Sequence, residues 1–187
     1  MNGFRFDVSV WAFAAAVAMS VQLSVAQAGV GNNAQIQRGK YLVDLAGCSD
    51  CHTPGSFFGK RDLARLLAGS EVGFAIPGLG VFAGPNLTPD KETGLGNWTG
   101  KEIVAAIKTG IRPDGRKLAP IMPYEDFARL TTEDALAIAA YLRSLPPIKN
   151  KVAGPFGPND KVSVFVMPVL SAEAYNALPQ PGPSSAK

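Results

Sequence analysis

The chain has 187 residues, 47% of them hydrophobic, which is enough for one domain with its own core and short for two. Charged residues make up only 18% and the net charge is +3, with no basic run, so a nucleic-acid binder built on charge is excluded. With 20 Gly and 15 Pro, turns and ordered loops are expected over much of the length.

In chain order, the first 28 residues read as an export signal. Arg5 sits in a short leading region, offset by Asp7, and an apolar stretch runs through residues 10–18. Ala26-Gln27-Ala28 fits the small-x-small cleavage rule, so a cut after Ala28 is expected. The competing reading is an uncleaved signal anchor, although the apolar run is short for a membrane span. No Cys lies near the cut, which argues against a lipid anchor.

A first helix is predicted over residues 34–46, where Ile36, Leu42, Val43 and Ala46 recur at helical spacing and Gly47 can end it. Residues 53–60 form a loop around Pro54 and Gly55, and a short helix is expected over 61–68. Residues 72–97 are rich in Gly and Pro, and Phe74 to Phe82 fits a small hairpin turning at Pro77-Gly78. Thr99-Gly100-Lys101-Glu102 is a capping box, opening a helix that carries Ile103, Ala106 and Ile107 and stops at Gly110. Pro113-Asp114-Gly115 is a turn. The strongest helix spans 132–145, with Ala135, Ile138, Ala139, Leu142 and Leu145 on one apolar face and Pro146-Pro147 as its stop. From Lys149 onward the chain reads as loop, with one alternating stretch, Val162 to Val166, and a disordered end over 179–187.

The chemistry concentrates in one place. The two cysteines and the one histidine form Cys48-Ser49-Asp50-Cys51-His52. This is C-x-x-C-H, the attachment pattern of c-type haem. Two thiols three positions apart share one helical turn, so both can reach the two vinyl groups of one porphyrin as thioethers. The next residue then offers its imidazole to the iron from the same side. Three other readings compete: a disulfide between Cys48 and Cys51, a thioredoxin-like redox pair, and a zinc knuckle. The second lacks a surrounding βαβ pattern. The third lacks a further Cys or His pair to complete four ligands.

An electron-transferring haem needs a sixth ligand that stays bound in both oxidation states. No second His exists for bis-His ligation, which leaves a thioether, and His/Met ligation raises the reduction potential. Beyond the signal the methionines are Met122 and Met167, each followed by Pro. Met122 lies between a turn and the strongest helix, where a loop would cross the far face of a haem. Met167 lies beyond that helix among alternating apolar residues. Either can instead be a core-filling Met.

From about Gln37 to Pro158 the chain resembles the single-haem cytochrome c domains associated with periplasmic dehydrogenases, such as the cytochrome subunits of bacterial alcohol and gluconate dehydrogenases. The blocks that carry the resemblance are Arg38-Gly39-Lys40-Tyr41-Leu42, the Cys48 to Thr53 segment, Asn86-Leu87-Thr88-Pro89-Asp90, Thr93 to Trp98, Gly110 to Gly115, Met122-Pro123-Tyr124 and Tyr141 to Pro147, in matching order. Two stretches depart from it, residues 74–84 and the tail after Pro158. The resemblance implies an all-α fold in which the terminal helices cross and long loops wrap one covalent haem c. It implies Met122 as the distal iron ligand opposite His52. It also suggests the Trp98 indole as donor to a haem propionate, with an aromatic core residue as the alternative. Tyr124 would pack near the Met sulfur or stand half-exposed. Gly39 would allow a close crossing against Tyr141 or Leu142, at a cost of about 1 kcal/mol in helix propensity relative to Ala.

The organisation expected is a signal over residues 1–28, a cytochrome c domain over 29–158 and an extension over 159–187. The function expected is a periplasmic electron carrier rather than an enzyme, since both axial positions on the iron are filled. It would be reduced by a dehydrogenase and oxidised by an oxidase or another cytochrome, and would touch the membrane only through a partner or an uncleaved signal. The alternative is a haem enzyme or gas sensor with an open sixth site. A third reading is a binding or scaffold subunit with a structural disulfide.

Overall fold

A computed structural model describes residues 33–179. The export signal lies outside the described residues, as does all but the first residue of the expected disordered end. Six α-helices are described: α1 over residues 33–45, α2 Cys48–His52, α3 Gly100–Thr109, α4 Tyr124–Phe127, α5 Thr132–Ser144 and α6 Ala172–Asn176. Three short strands accompany them: β1 Val72–Ile76, β2 Gly80–Ala83 and β3 Phe165–Pro168.

The helix limits follow from capping. At α3 the Thr99 side chain accepts from Glu102 N while Glu102 Oε2 accepts from Thr99 N at 2.7 Å, the reciprocal box that the sequence predicts. At α5 the Thr131 hydroxyl accepts from Asp134 N, and the chain leaves the helix before Pro146.

The core is formed where α1, α3 and α5 meet. Leu42 and Val43 from α1, Ile103 from α3, and Ile138, Tyr141 and Leu142 from α5 are all buried there. α5 buries more than the single face expected of it, because Ala137 and Tyr141 are also enclosed. The reason is the crossing with α1. A Cβ on Gly39 would stand 1.9 Å from Ala137 O and 2.8 Å from Tyr141 Cβ, so the two backbones touch where only hydrogen fits. The pair Arg38–Asp134 clamps the same crossing, with Nε 2.8 Å from Oδ1 and a second nitrogen 3.1 Å from Oδ2.

The all-α expectation holds for most of the regular structure and is corrected by a three-stranded sheet of order β2-β1-β3. β1 and β2 form the expected hairpin, with Phe74 opposite Phe82. β3 pairs with β1 in parallel, Phe165 opposite Val72 and Met167 opposite Phe74. It comes from the segment after Pro158 and begins three residues later than the alternating stretch. The helix expected over 61–68 is only a 3-10 turn, Leu63–Arg65, capped by Asp62. It cannot continue, because Leu67 takes a left-handed conformation with φ 60°. α6 was not expected; Ser171 caps it by accepting from Ala174 N. Among the described residues, no helix is long and apolar enough to cross a membrane.

Candidate functional site

α2 carries the Cys48-Ser49-Asp50-Cys51-His52 block as a single helical turn, entered through Gly47. The two thiols lie one turn apart and are not joined as a disulfide. Burial pushes the Cys48 thiol up to about 11 and raises Cys51 as well, with Asp50 adding to the second shift. Both are therefore neutral thiols at neutral pH. A thioredoxin-like pair needs a depressed thiol, so that reading loses its physical basis. The zinc reading lacks donors: among the described residues no three His, Cys, Asp or Glu side chains cluster to hold a metal ion.

His52 is buried, and its Nδ1 lies 2.8 Å from the carbonyl oxygen of Pro85. A carbonyl only accepts, so Nδ1 carries the proton and Nε2 is left with the lone pair. Burial lowers the imidazole's affinity for a second proton more than the Pro85 contact raises it. The ring is thus held as a neutral donor of defined tautomer, the state in which imidazole binds metal.

The backbone around His52 is fixed from three sides. His52 O accepts from Gly69 N at 2.8 Å. Thr53, fully enclosed, accepts from Leu67 N at 2.9 Å, which helps hold Leu67 in its left-handed conformation. Gly84 passes so close that a Cβ there would stand 1.9 Å from Cys51 O and 3.2 Å from His52 Nδ1. Next to it, buried Asn86 donates to Ile148 O at 2.7 Å and to Thr93 Oγ1, while its Oδ1 accepts from Thr88 N and Thr88 Oγ1. Asn150 returns to donate to Ala68 O at 2.7 Å. The loop that supplies the Pro85 carbonyl is thereby tied to the segment that follows α5. On the outer side Arg61 pairs with Asp50, and Ser56 Oγ donates to Ser49 O at 3.0 Å.

The remaining predicted residues lie on other elements. Trp98 is half-buried against the core just before α3, and the Arg112 guanidinium covers its ring at 4.9 Å. Met122, half-buried, sits in the loop leading into α4, its N–H donating to Ala119 O. Tyr124 opens α4 and lays its ring against Gly110 at the end of α3. Met167 is exposed on β3. Sequence reasoning missed the Pro85 carbonyl, since a backbone acceptor leaves no side-chain signature. Thr53, Asn86 and Thr88 stood within recognised blocks without a role.

The cytochrome c family profile matches residues 36–146. The cytochrome c subunit of a quinone-dependent alcohol dehydrogenase from Gluconobacter oxydans is 36% identical over 132 residues, 70% of this chain and 26% of that protein. The fructose dehydrogenase cytochrome subunit of Gluconobacter japonicus is 43% identical over 108 residues, 57% of this chain and 20% of its own length. The gluconate 2-dehydrogenase cytochrome c subunit of Pantoea cypripedii is 34% identical over 110 residues, 59% of this chain and 23% of that one. The match thus spans about a quarter of these longer relatives. The family profile covers both the α2 turn and the loop that fixes His52, and by that match the chain belongs to the cytochrome c family, whose members carry covalently bound haem c.

Proposed function

We propose that this protein is an exported electron carrier with one haem c, reduced by a dehydrogenase and oxidised by the respiratory chain. The observation that carries the reading is the α2 turn, in which two neutral thiols precede an imidazole whose Nδ1 is committed to Pro85 O. That donor set fits the group. Cys48 and Cys51 would form the two thioethers, and His52 Nε2 would bind iron. Met122 would be the second ligand to the iron, and Trp98, whose ring lies beneath the Arg112 guanidinium, would donate to a propionate. Tyr124, two residues after Met122, braces the ligand loop through its seat on Gly110.

Bound haem supplies a one-electron couple between ferrous and ferric iron. The chain's part would be to hold the iron through His52 and Met122 and to exclude water from the His52 side, where Thr53 is fully enclosed. With His52 and Met122 both bound to it, the iron would offer a substrate no free position, which supports a carrier rather than an enzyme. A single C-x-x-C-H block supports one haem per chain. The names of the relatives support a dehydrogenase as donor. The expected acceptor is an oxidase or another cytochrome, and the signal over residues 1–28 supports the periplasm.

A pyridine haemochrome assay on protein of known concentration tests the reading. One haem per chain is expected, retained through acid–acetone extraction. Haem that extracts intact, or a chain that takes up none, would overturn it.

A further inference from the structure

We infer that β3, α6 and the turn between them form the surface through which two copies of this chain associate. This goes beyond the electron-carrier reading and does not depend on it. β3 is an edge strand, paired with β1 on one side only. Phe165 N donates inward to Glu71 O at 3.1 Å. In a parallel ladder the next residue, Val166, then turns its N–H and C=O to the open edge, while Pro168, the next position facing that edge, has no N–H to give.

The surface around that edge is apolar. Phe58, whose ring meets Phe165 edge-on at 5.0 Å, joins Phe165, Val169, Leu170 and Tyr175, and with Met167 these side chains are 40–77% exposed. At ~150–250 Å² for an aromatic side chain in full, Phe58, Phe165 and Tyr175 alone present roughly 350 Å², and the aliphatic neighbours add to this toward the about 800 Å² that each partner gives to a standard interface. A groove between the end of β3 and α6, lined by Pro168, Leu170 and Tyr175, gives the patch relief.

Charge selects the occupant. Residues 162–172 carry no charge, and Glu173 is the one charged residue from 162 to 179. A two-fold contact sets a patch against itself, so a charged patch repels its copy and an uncharged one does not. Homodimer interfaces are the more apolar class, whereas transient electron-transfer contacts are small and steered by charge.

Sedimentation velocity of the full haem-loaded protein tests this from roughly 1 to 100 μM, the range of ordinary subunit affinities. A species of twice the chain mass is expected. The double variant Val169→Lys, Leu170→Lys and the separate variant Tyr175→Glu should each sediment as monomer with an unchanged visible spectrum. Leu136→Lys, an exposed apolar position on α5, should remain dimeric. A monomeric wild type across the range would overturn the inference. So would a dimer that survives both tail variants, or one that Leu136→Lys also disrupts.

Discussion

The Nδ1 atom of His52 lies 2.8 Å from the carbonyl oxygen of Pro85, and Gly84, the residue before that proline, has no room for a side chain. The two facts belong together, since the carbonyl reaches the imidazole only because the backbone runs against Cys51 O. Gly84→Ala should force the loop away and free the His52 ring to rotate. A loss of about 2–4 kcal/mol is expected, from strain together with a broken buried hydrogen bond. Urea unfolding of the haem-loaded protein measures it, and the visible spectrum should show a weakened proximal ligand field. Unchanged stability and spectrum would mean that the Pro85 contact does not orient the ring.

Met122 and Met167 separate by environment, one half-buried in the loop before α4, the other exposed on β3 opposite Phe74. As the proposed iron ligand, Met122 should give ferric protein a weak charge-transfer band at the red edge of the visible spectrum. Met122→Ala should abolish that band, open the iron to added ligands and lower the reduction potential. Thioether sulfur favours ferrous iron, so the drop should be on the order of 0.1 V or more, within the ~0.8 V that axial ligation spans. Met167→Ala should change none of the three. The reverse pattern would place the distal ligand on the tail.

What the sequence made legible, and what it hid, divides by the range of the interactions. Thr99 with Glu102, the apolar period of α5 and the Pro77-Gly78 turn are local signals, and each element formed where they indicated. The cysteine and histidine spacing is equally local. β3 was missed because its partner β1 lies some ninety residues earlier, and a four-residue strand ending in Pro has little pattern of its own. Burial of Ala137 and Tyr141 depends on α1 crossing at Gly39, which a helical period for α5 alone does not register. The Pro85 acceptor is backbone, so any residue there leaves the same trace in sequence.

Asn86 is almost fully buried, and both ends of its amide are used. Asn86→Ala would leave Thr88 N without its acceptor and Ile148 O with only the longer bond from the Thr88 hydroxyl, inside the protein. A cost of about 2–4 kcal/mol is expected, the range for breaking a buried network. Thr88→Val should cost less, because Asn86 would keep its bonds to Ile148 O and Thr93 and only Ile148 N would lose its acceptor. Thermal unfolding of the two variants beside wild type gives the ranking. Equal midpoints for Asn86→Ala and wild type would show that the link to residues 148–150 is dispensable.

The Arg38–Asp134 pair predicts a dependence on pH. The hydrogen bond from Arg38 holds the Asp134 carboxyl below its ordinary value, and the guanidinium charge adds to it. A carboxyl depressed in the folded state contributes stability above its unfolded value of about 3.9, and that contribution is lost as pH falls through the lower folded value. Asp134→Asn should therefore be less stable than wild type at neutral pH, with the gap closing in acid. The pair is solvent-accessible, so the gap should be small and should shrink in high salt. Urea midpoints across pH, at two salt concentrations, measure both trends. A gap that persists in acid would assign the effect to packing.

Gly39 gives the prediction with the clearest sign. On helix propensity alone, replacing a helical Gly by Ala should stabilise by about 1 kcal/mol. The crossing reverses this, because the added Cβ would stand 1.9 Å from Ala137 O, and backbone cannot move aside as a flexible side chain can. Relieving the overlap requires α1 and α5 to separate. That would loosen Val43 and Leu142 in the core and stretch the Arg38–Asp134 pair beside them. Gly39→Ala should therefore destabilise by about 1–3 kcal/mol, the cost of overpacking a filled core, and Gly39→Val by more. Urea unfolding of the haem-loaded variants decides the matter by direction alone. A rise in the midpoint for Gly39→Ala would mean that the helices do not cross in contact at this residue, and a fall that deepens from Ala to Val would mean that they do.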